Sequence, residues 1–156
     1  MFPSRLIIAD RIGNGLELSS KKRLLERLGV LLANADPNLS SEEVFGRLCE
    51  RERLGSTGLG HGVALPHARM REVIETIGAF VQLRKGVVFD TLDNGPVDLA
   101  FALLVPESVT KLHLQLLAQL ASMFKDSRLR RDLRQADSVE QILALLEEQE
   151  QDSRNQ

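Results

Sequence analysis

Four glycines fall within the eight residues 55–62, inside the stretch Gly55-Ser56-Thr57-Gly58-Leu59-Gly60-His61-Gly62-Val63-Ala64-Leu65-Pro66-His67-Ala68-Arg69. That density excludes a regular helix and makes left-handed backbone cheap at several points. The loop runs into Val63-Ala64-Leu65, a short apolar run that Pro66 stops, because proline fixes φ and has no N–H to give a ladder. His67 therefore sits at a rigid strand end beside a glycine-lined loop. Ser56 and Thr57 supply hydroxyls, and glycine-rich turns present backbone N–H groups that line anion sites. One reading is a phosphate cradle with a nucleophile at its rim. The blander one is a set of turns followed by a partly buried structural histidine, and residue chemistry alone leaves the two even. No Gly-Lys-Ser/Thr follows the glycines, so this is not a P-loop. Nor is it a Rossmann fingerprint, since the strand follows the glycines.

Helical periodicity brackets this centre. Leu6-Ile7-Ile8 is apolar, Asn14-Gly15 reads as a turn, and Leu16-Glu17-Leu18 as a short strand leading to Ser19 as an N-cap. Leu24, Leu28, Leu31, Leu32 and Ala35 then recur at helical spacing until Asp36-Pro37. Ser40 with Glu43 forms a capping box for a second helix, whose apolar face is Val44, Phe45, Leu48 and Cys49 and which ends near Arg51-Glu52-Arg53. Beyond His67, the span 70–75 is ambiguous. Thr76 to Leu83 and Val87-Val88-Phe89 read as strands about a turn at Arg84-Lys85-Gly86. Asp93-Asn94-Gly95-Pro96 is a turn, and Val97 to Val105 a strand buried on both faces. Pro106 stops it. A third helix follows with Leu112, Leu116, Leu120 and Met123 or Phe124 inward. A short polar segment spans Ser127 to Asp137. Ser138 then caps a last helix bearing Val139, Ile142, Leu143 and Leu146. The polar residues 149–156 read as a flexible tail. Helices bracketing four or five short strands give an α/β fold, with a mixed central β-sheet sandwiched by helices. Neither a repeat nor a linker divides it, so a single domain over 5–148 is expected.

Composition narrows the function classes. At 156 residues with 43% apolar and 27% charged residues, the chain can bury a real core without disulfides or metal. A net charge of −2 and the absence of Trp and Tyr argue against nucleic acid as a partner. The single Cys49 cannot form an internal disulfide. Met1-Phe2-Pro3-Ser4-Arg5 lacks a signal peptide's apolar core, and no run reaches the roughly 18 apolar residues of a membrane span. A cytoplasmic protein without membrane insertion is expected.

His61, His67 and His113 are the three histidines. Taken alone, His113 is a boundary residue of the third helix and Arg51 a solvated charge. The residues Arg51-Glu52-Arg53-Leu54-Gly55-Ser56-Thr57-Gly58-Leu59-Gly60, followed by Gly62-Val63-Ala64-Leu65-Pro66-His67, nevertheless resemble the phosphorylation-site signature of fructose/mannitol-type IIA domains of the bacterial phosphotransferase system. The resemblance is strongest to their stand-alone nitrogen-regulatory branch. Leu103-Leu104-Val105-Pro106 with His113-Leu114 is similar to a second element of that family, so the likeness covers residues 5 to 148. It implies the mannitol-type IIA fold and a phosphoryl acceptor at His67, served by a histidine phosphocarrier of the HPr/NPr type. It further implies that Arg51 and His113 close on the site and that partner proteins, such as transporters or sensor kinases, are regulated by phosphorylation state. Ser56, Thr57 and Gly58 are the candidate phosphoryl-binding loop; no cofactor and no metal is implied. Two positions depart from the pattern: His61, where the family commonly has a residue such as asparagine, and Ala68, often glycine there.

The chemistry fits that implication. An imidazole with a pKa near 6.5 keeps a lone pair at neutral pH, and a guanidinium offers paired donors to phosphoryl oxygens. Two alternatives remain. One is a stand-alone IIA component of a sugar uptake system that passes phosphate to a IIB domain. The remote one is a metal hydrolase built on His61, His67 and His113, although no H-E-x-x-H spacing supports it.

Overall fold

The alternation of large and small side chains along one central strand explains the layering. In the strand Val97–Pro106, Leu99, Phe101, Leu103 and Val105 enter one core, while Ala100, Ala102 and Leu104 enter another on the opposite face. Both faces are apolar because helices cover both. The computed structural model describes residues 5–108 and 111–154. Among these, six strands and five α-helices follow in the order β1 (Ile12–Leu16), α1 (Lys21–Ala33), α2 (Ser41–Leu54), β2 (Gly58–Gly60), β3 (Val63–Ala64), β4 (His67–Met70), β5 (Ile77–Val87), β6 (Val97–Pro106), α3 (Lys111–Met123), α4 (Ser127–Gln135) and α5 (Val139–Arg154). The sheet runs β1-β5-β6-β3-β2, with β4 also on β6. β1 is parallel to β5, β5 antiparallel to β6, and β3 and β4 both parallel to β6. The mixed sheet flanked by helices is the expected architecture.

Leucines of α1 and α2 (Leu24, Leu28, Leu32, Leu48) pack on the face lined by Ala64, Ala68, Ala79, Ala100 and Ala102. Those small residues let two helices settle close to the strands. The other face carries bulk. Phe80, Phe101 and Phe124 meet there at ring-centroid distances of 6.2 to 6.4 Å, beneath Leu116, Leu120, Leu133, Ile142 and Leu146. Such aromatic contacts add about 0.5–1.5 kcal/mol beyond the area they bury.

Helix boundaries follow their caps. The Ser40 side chain accepts from the Glu43 amide, as the capping box requires. Asp126 caps α4 and the Ser138 hydroxyl accepts from the Gln141 amide at the start of α5. For α1 the cap is Ser20 instead of the expected Ser19, and Ala35 lies beyond the helix end.

Several sequence expectations are corrected. The first strand begins at Ile12, and the Asn14-Gly15 pair lies within it as a register irregularity, with Gly15 at φ +63. Arg84-Lys85-Gly86 does not break the next strand. β5 continues to Val87 and absorbs the turn residues as a bulge between Gln82 and Val87. That merger removes one expected strand, but the span 58–70 contributes three short ones, β2, β3 and β4. The described residues thus hold six strands, of which β5 and β6 are long. Leu112 is 72% exposed instead of inward, because the first turn of α3 lies past the end of β6, and burial begins at Leu116. The polar stretch from 149 is helical through Arg154, consistent with its Glu and Gln content; 155–156 lie outside the described residues.

Candidate functional site

β3 and β4 are two pieces of one line of chain running along β6, the first also paired to β2, and the break between them builds the site. Val63 and Ala64 pair with Leu99 and Ala100, and His67 to Met70 pair with residues 103 to 106. Across the gap, the Leu103 amide donates to the Pro66 carbonyl at 2.9 Å, so the ladder resumes immediately. His67 thus opens a strand instead of merely following one. At the break, the Leu65 carbonyl leaves the ladder and turns to the His67 ring, 2.9 Å from Nδ1. A carbonyl can only accept, so Nδ1 carries the proton and the Nε2 lone pair is left for chemistry.

Period 2 sets which way the strand faces. Ala68 and Met70 enter the core under α1 and α2, so His67 and Arg69 lie on the opposite face, toward α3. There a cleft of about 610 Å³ lies between the end of α2, β4 and the start of α3. Its lining includes His67, Arg51 and His113, the three residues singled out from sequence, together with Arg47, Arg69, Arg71, Glu50 and Glu107. Four arginines against two glutamates make it an anion-attracting concavity. Arg51 Nη1 donates to the Gly55 carbonyl at 2.8 Å, which fixes the guanidinium at the helix end and leaves its remaining N–H groups on the fork. Burial pushes the His67 pKa down, the Leu65 carbonyl works the other way, and the Arg51 charge lowers it again. The balance is below the ordinary histidine value, so the ring is neutral at pH 7.

The loop residues Ser56, Thr57 and Gly58 are not among those lining the cleft. Ser56 Oγ donates to the Phe89 carbonyl at 3.3 Å. Gly58 lies against Thr91, whose Cβ would sit 3.0 Å from an added Cβ. Thr57 is buried, its hydroxyl and amide both donating to Glu52. His61 also stays outside the cleft: it is exposed, at φ +56, and with Gly62 at φ +80 forms the two-residue turn between β2 and β3. Both values suit a type I′ hairpin turn, where asparagine is frequent and histidine is among the tolerated residues. The His61 amide donates to Asp93 at 3.0 Å and its carbonyl accepts from Arg134, which is also paired with Asp98 at 2.9 Å. Asp93, in turn, is held down to about 2 by the Thr91 hydroxyl first and then by the Gly95 and His61 amides. Among the described residues, no group of three or more His, Cys, Asp and Glu is placed to hold a metal ion. The three histidines are thus not gathered at one point.

Two cleft residues were readable in sequence and were missed. Arg47 stands one helical turn before Arg51, and Arg69 is two residues after His67 on the same strand face. Arg71 and Glu107, paired at 3.6 Å across the ends of β4 and β6, needed the fold.

A strand-break histidine, an arginine at a helix end and a second histidine, all on one cleft, invite comparison with known proteins. The family described as "Phosphoenolpyruvate-dependent sugar phosphotransferase system, EIIA 2" matches residues 5–149. The chain belongs to this EIIA type-2 family. A nitrogen regulatory protein from Klebsiella oxytoca is 45% identical over 130 residues, 83% of this chain and 80% of that protein. The crystal structure of nitrogen regulatory protein IIA-Ntr from Neisseria meningitidis superimposes with a TM-score of 0.86 at 44% identity, covering 91% of this chain and 97% of the other. Mannitol IIA from Escherichia coli shares the fold with a TM-score of 0.75 at 24% identity, covering 90% and 98%. As an EIIA type-2 protein the chain is a phosphotransferase-type component similar to regulatory members of the family. Among the described residues no helix is long and apolar enough to cross a membrane.

Proposed function

We propose that this EIIA protein is a regulatory phosphocarrier that accepts a phosphoryl group on Nε2 of His67 from an HPr/NPr-type phosphohistidine. Its phosphorylation state then sets its binding to partner proteins. One observation carries the reading: Leu65 holds Nδ1–H, so the nitrogen with the lone pair belongs to a ring lining a cleft of arginines. The attack forms the Nε2–P bond as the donor's P–N bond breaks, and the donor imidazole leaves with the electron pair. The passing group is close to metaphosphate, so positioning and charge do most of the work. Arg51 supplies fixed positive charge to its oxygens. A half-buried, neutral imidazole needs no deprotonation before attack. The relatives named nitrogen regulatory protein support regulation over sugar import. Incubation with phosphoenolpyruvate, enzyme I and a phosphocarrier should load one phosphoryl group per chain. A chain that stays unloaded would overturn the reading, and onward transfer to a IIB domain would shift it to the sugar branch.

His113 is the second hydrogen-bonding group offered to the phosphoryl oxygens, from the first turn of α3 across the cleft. His113→Ala should slow transfer about tenfold, one hydrogen bond's worth of rate. His113→Gln, which keeps a donor, should lose less. Stopped-flow transfer from the phosphorylated carrier measures both, with melting temperatures nearly unchanged. Equal losses in the two variants would remove the donor role.

A further inference from the structure

Glu52 and Thr57 do not line the cleft, yet they are joined to His67 through the backbone of Leu65. The Glu52 side chain is only 5% exposed, although it carries a charge at the end of a surface helix. Lys21, from the first turn of α1, pairs with its Oε1 at 3.1 Å. The same Lys21 Nζ lies 3.4 Å from the Phe89 carbonyl and 4.3 Å over the Phe89 ring. Both carboxylate oxygens are engaged on the other side by Thr57. Its amide donates to Oε1 at 3.2 Å and its hydroxyl donates to Oε2. Thr57 is itself 6% exposed.

That clamp holds Thr57 at two points, its amide and its side chain, and so places the residue that carries the next carbonyl. The Thr57 carbonyl accepts from the Leu65 amide at 3.0 Å, and the Leu65 carbonyl accepts from His67 Nδ1 at 2.9 Å. Leu65 lies in the break between β3 and β4, where the Thr57 carbonyl is its amide's partner and no strand pairing holds it. Ala64 and Pro66 on either side are tied to β6, and Leu65 itself is held on the side away from β6 by Thr57. That puts the Glu52 carboxylate two hydrogen bonds from Leu65 and three from the His67 ring. In water the tautomer with the proton on Nε2 is freely available to an imidazole, and that tautomer has no lone pair where the cleft needs one.

We propose that the Glu52–Thr57 clamp is a positioning device that sets the tautomer of His67, by fixing the Leu65 carbonyl that accepts from Nδ1. The inference rests on His67 as acceptor for its consequence, but not for its geometry. Replacing the Thr57 hydroxyl leaves a buried carboxylate short of a donor and lets the loop relax. The Leu65 peptide then rotates, and the His67 ring divides between its two tautomers.

The test is a set of ring-nitrogen NMR spectra of the whole protein at a pH where His67 is neutral. Protonated and bare ring nitrogens resonate far apart, so the tautomer is read directly. The unaltered protein should show a bare Nε2 and a protonated Nδ1. Thr57→Val, close in shape, should show a mixture and transfer phosphoryl groups about tenfold more slowly, one hydrogen bond's worth of rate. Thr57→Ser, which restores the hydroxyl, should recover the single tautomer and most of the rate. Should Thr57→Val fail to fold, Glu52→Gln takes its place, because one of its two acceptors becomes a donor; the same mixture is expected. An unchanged tautomer in a folded Thr57→Val protein would overturn the inference, as would equal losses in Thr57→Val and Thr57→Ser. A pure tautomer in a protein that takes phosphate elsewhere than His67 would sink the acceptor reading and leave the clamp standing.

Discussion

Arg51→Ala should slow phosphoryl transfer to His67 by on the order of 10²-fold, the typical worth of one preorganised charge or donor at a transition state. The side chain is anchored to the Gly55 carbonyl at 2.8 Å, so its fork is in place before any phosphoryl group arrives. A positive charge that need not reorganise is worth most where water is excluded. Lysine in its place should recover little, since it replaces a planar fork with a point charge. A second readout separates the electrostatic role from a mechanical one. The Arg51 charge holds the His67 pKa down, after burial, so its removal should raise that pKa. Stability should fall by about 1 kcal/mol or less, because one partly exposed hydrogen bond is lost. Transfer at the original rate, with an unshifted titration of His67, would leave Arg51 an ordinary surface charge.

The largest stability effect is expected far from the cleft, at Gln82. This residue is 5% exposed in the middle of β5 and uses both ends of its amide. Nε2 donates to the Leu133 carbonyl at 2.6 Å and the Ala136 carbonyl at 2.9 Å, while Oε1 accepts from Asn14 Nδ2 at 2.6 Å and the Gly15 amide at 2.8 Å. The carbonyls at the end of α4 and the irregular part of β1 are thus satisfied by one side chain. Gln82→Leu keeps the volume and strands several of these groups. At about 1–3 kcal/mol for each buried group left unpaired, with Asn14 retaining its own bond to Ala136, a loss of about 3 kcal/mol follows. For a chain of this size, that is a fall of roughly 10 °C in melting temperature. Calorimetry decides it, and a fall of less than 2 °C would mean that water reaches these groups.

Gln82 also shows what the sequence hides. In the run from Thr76 to Leu83 it reads as one polar residue in a strand, and its four partners lie 51 to 68 positions away. Glu52 is similar: it reads as one of three charges ending α2, and only the fold shows it buried against Thr57 and Lys21. Local signals did better. Ser40 with Glu43 located α2, the density of glycine located the loop, and the apolar run to Val105 located the central strand. The turn expected at Arg84-Lys85-Gly86 failed because a bulge and a turn share residue types, and only cross-strand register separates them. Leu112 failed for a different reason. Helical periodicity says which face a residue is on, but not how far the sheet beneath that face extends.

Within the site, the placing of His67, Arg51 and His113 on one cleft came from the family resemblance, since sixteen and forty-six residues of chain separate them in sequence. The glycine loop was read as a cradle for phosphate. Its hydroxyls instead face the Phe89 carbonyl and Glu52, and the loop meets the site through the Gly55 carbonyl that accepts from Arg51 and through Leu65.

The decisive measurement is the position of the phosphoryl group after loading from phosphoenolpyruvate through enzyme I and a phosphocarrier. Phosphorus-coupled ring-nitrogen NMR, with peptide mapping at alkaline pH to preserve the acid-labile P–N bond, should find it on Nε2 of His67. His67→Ala should take up none. Phosphate on Nδ1 of that ring, or on His61 or His113, would contradict a site in which the Leu65 carbonyl reserves Nδ1 and leaves Nε2 to react.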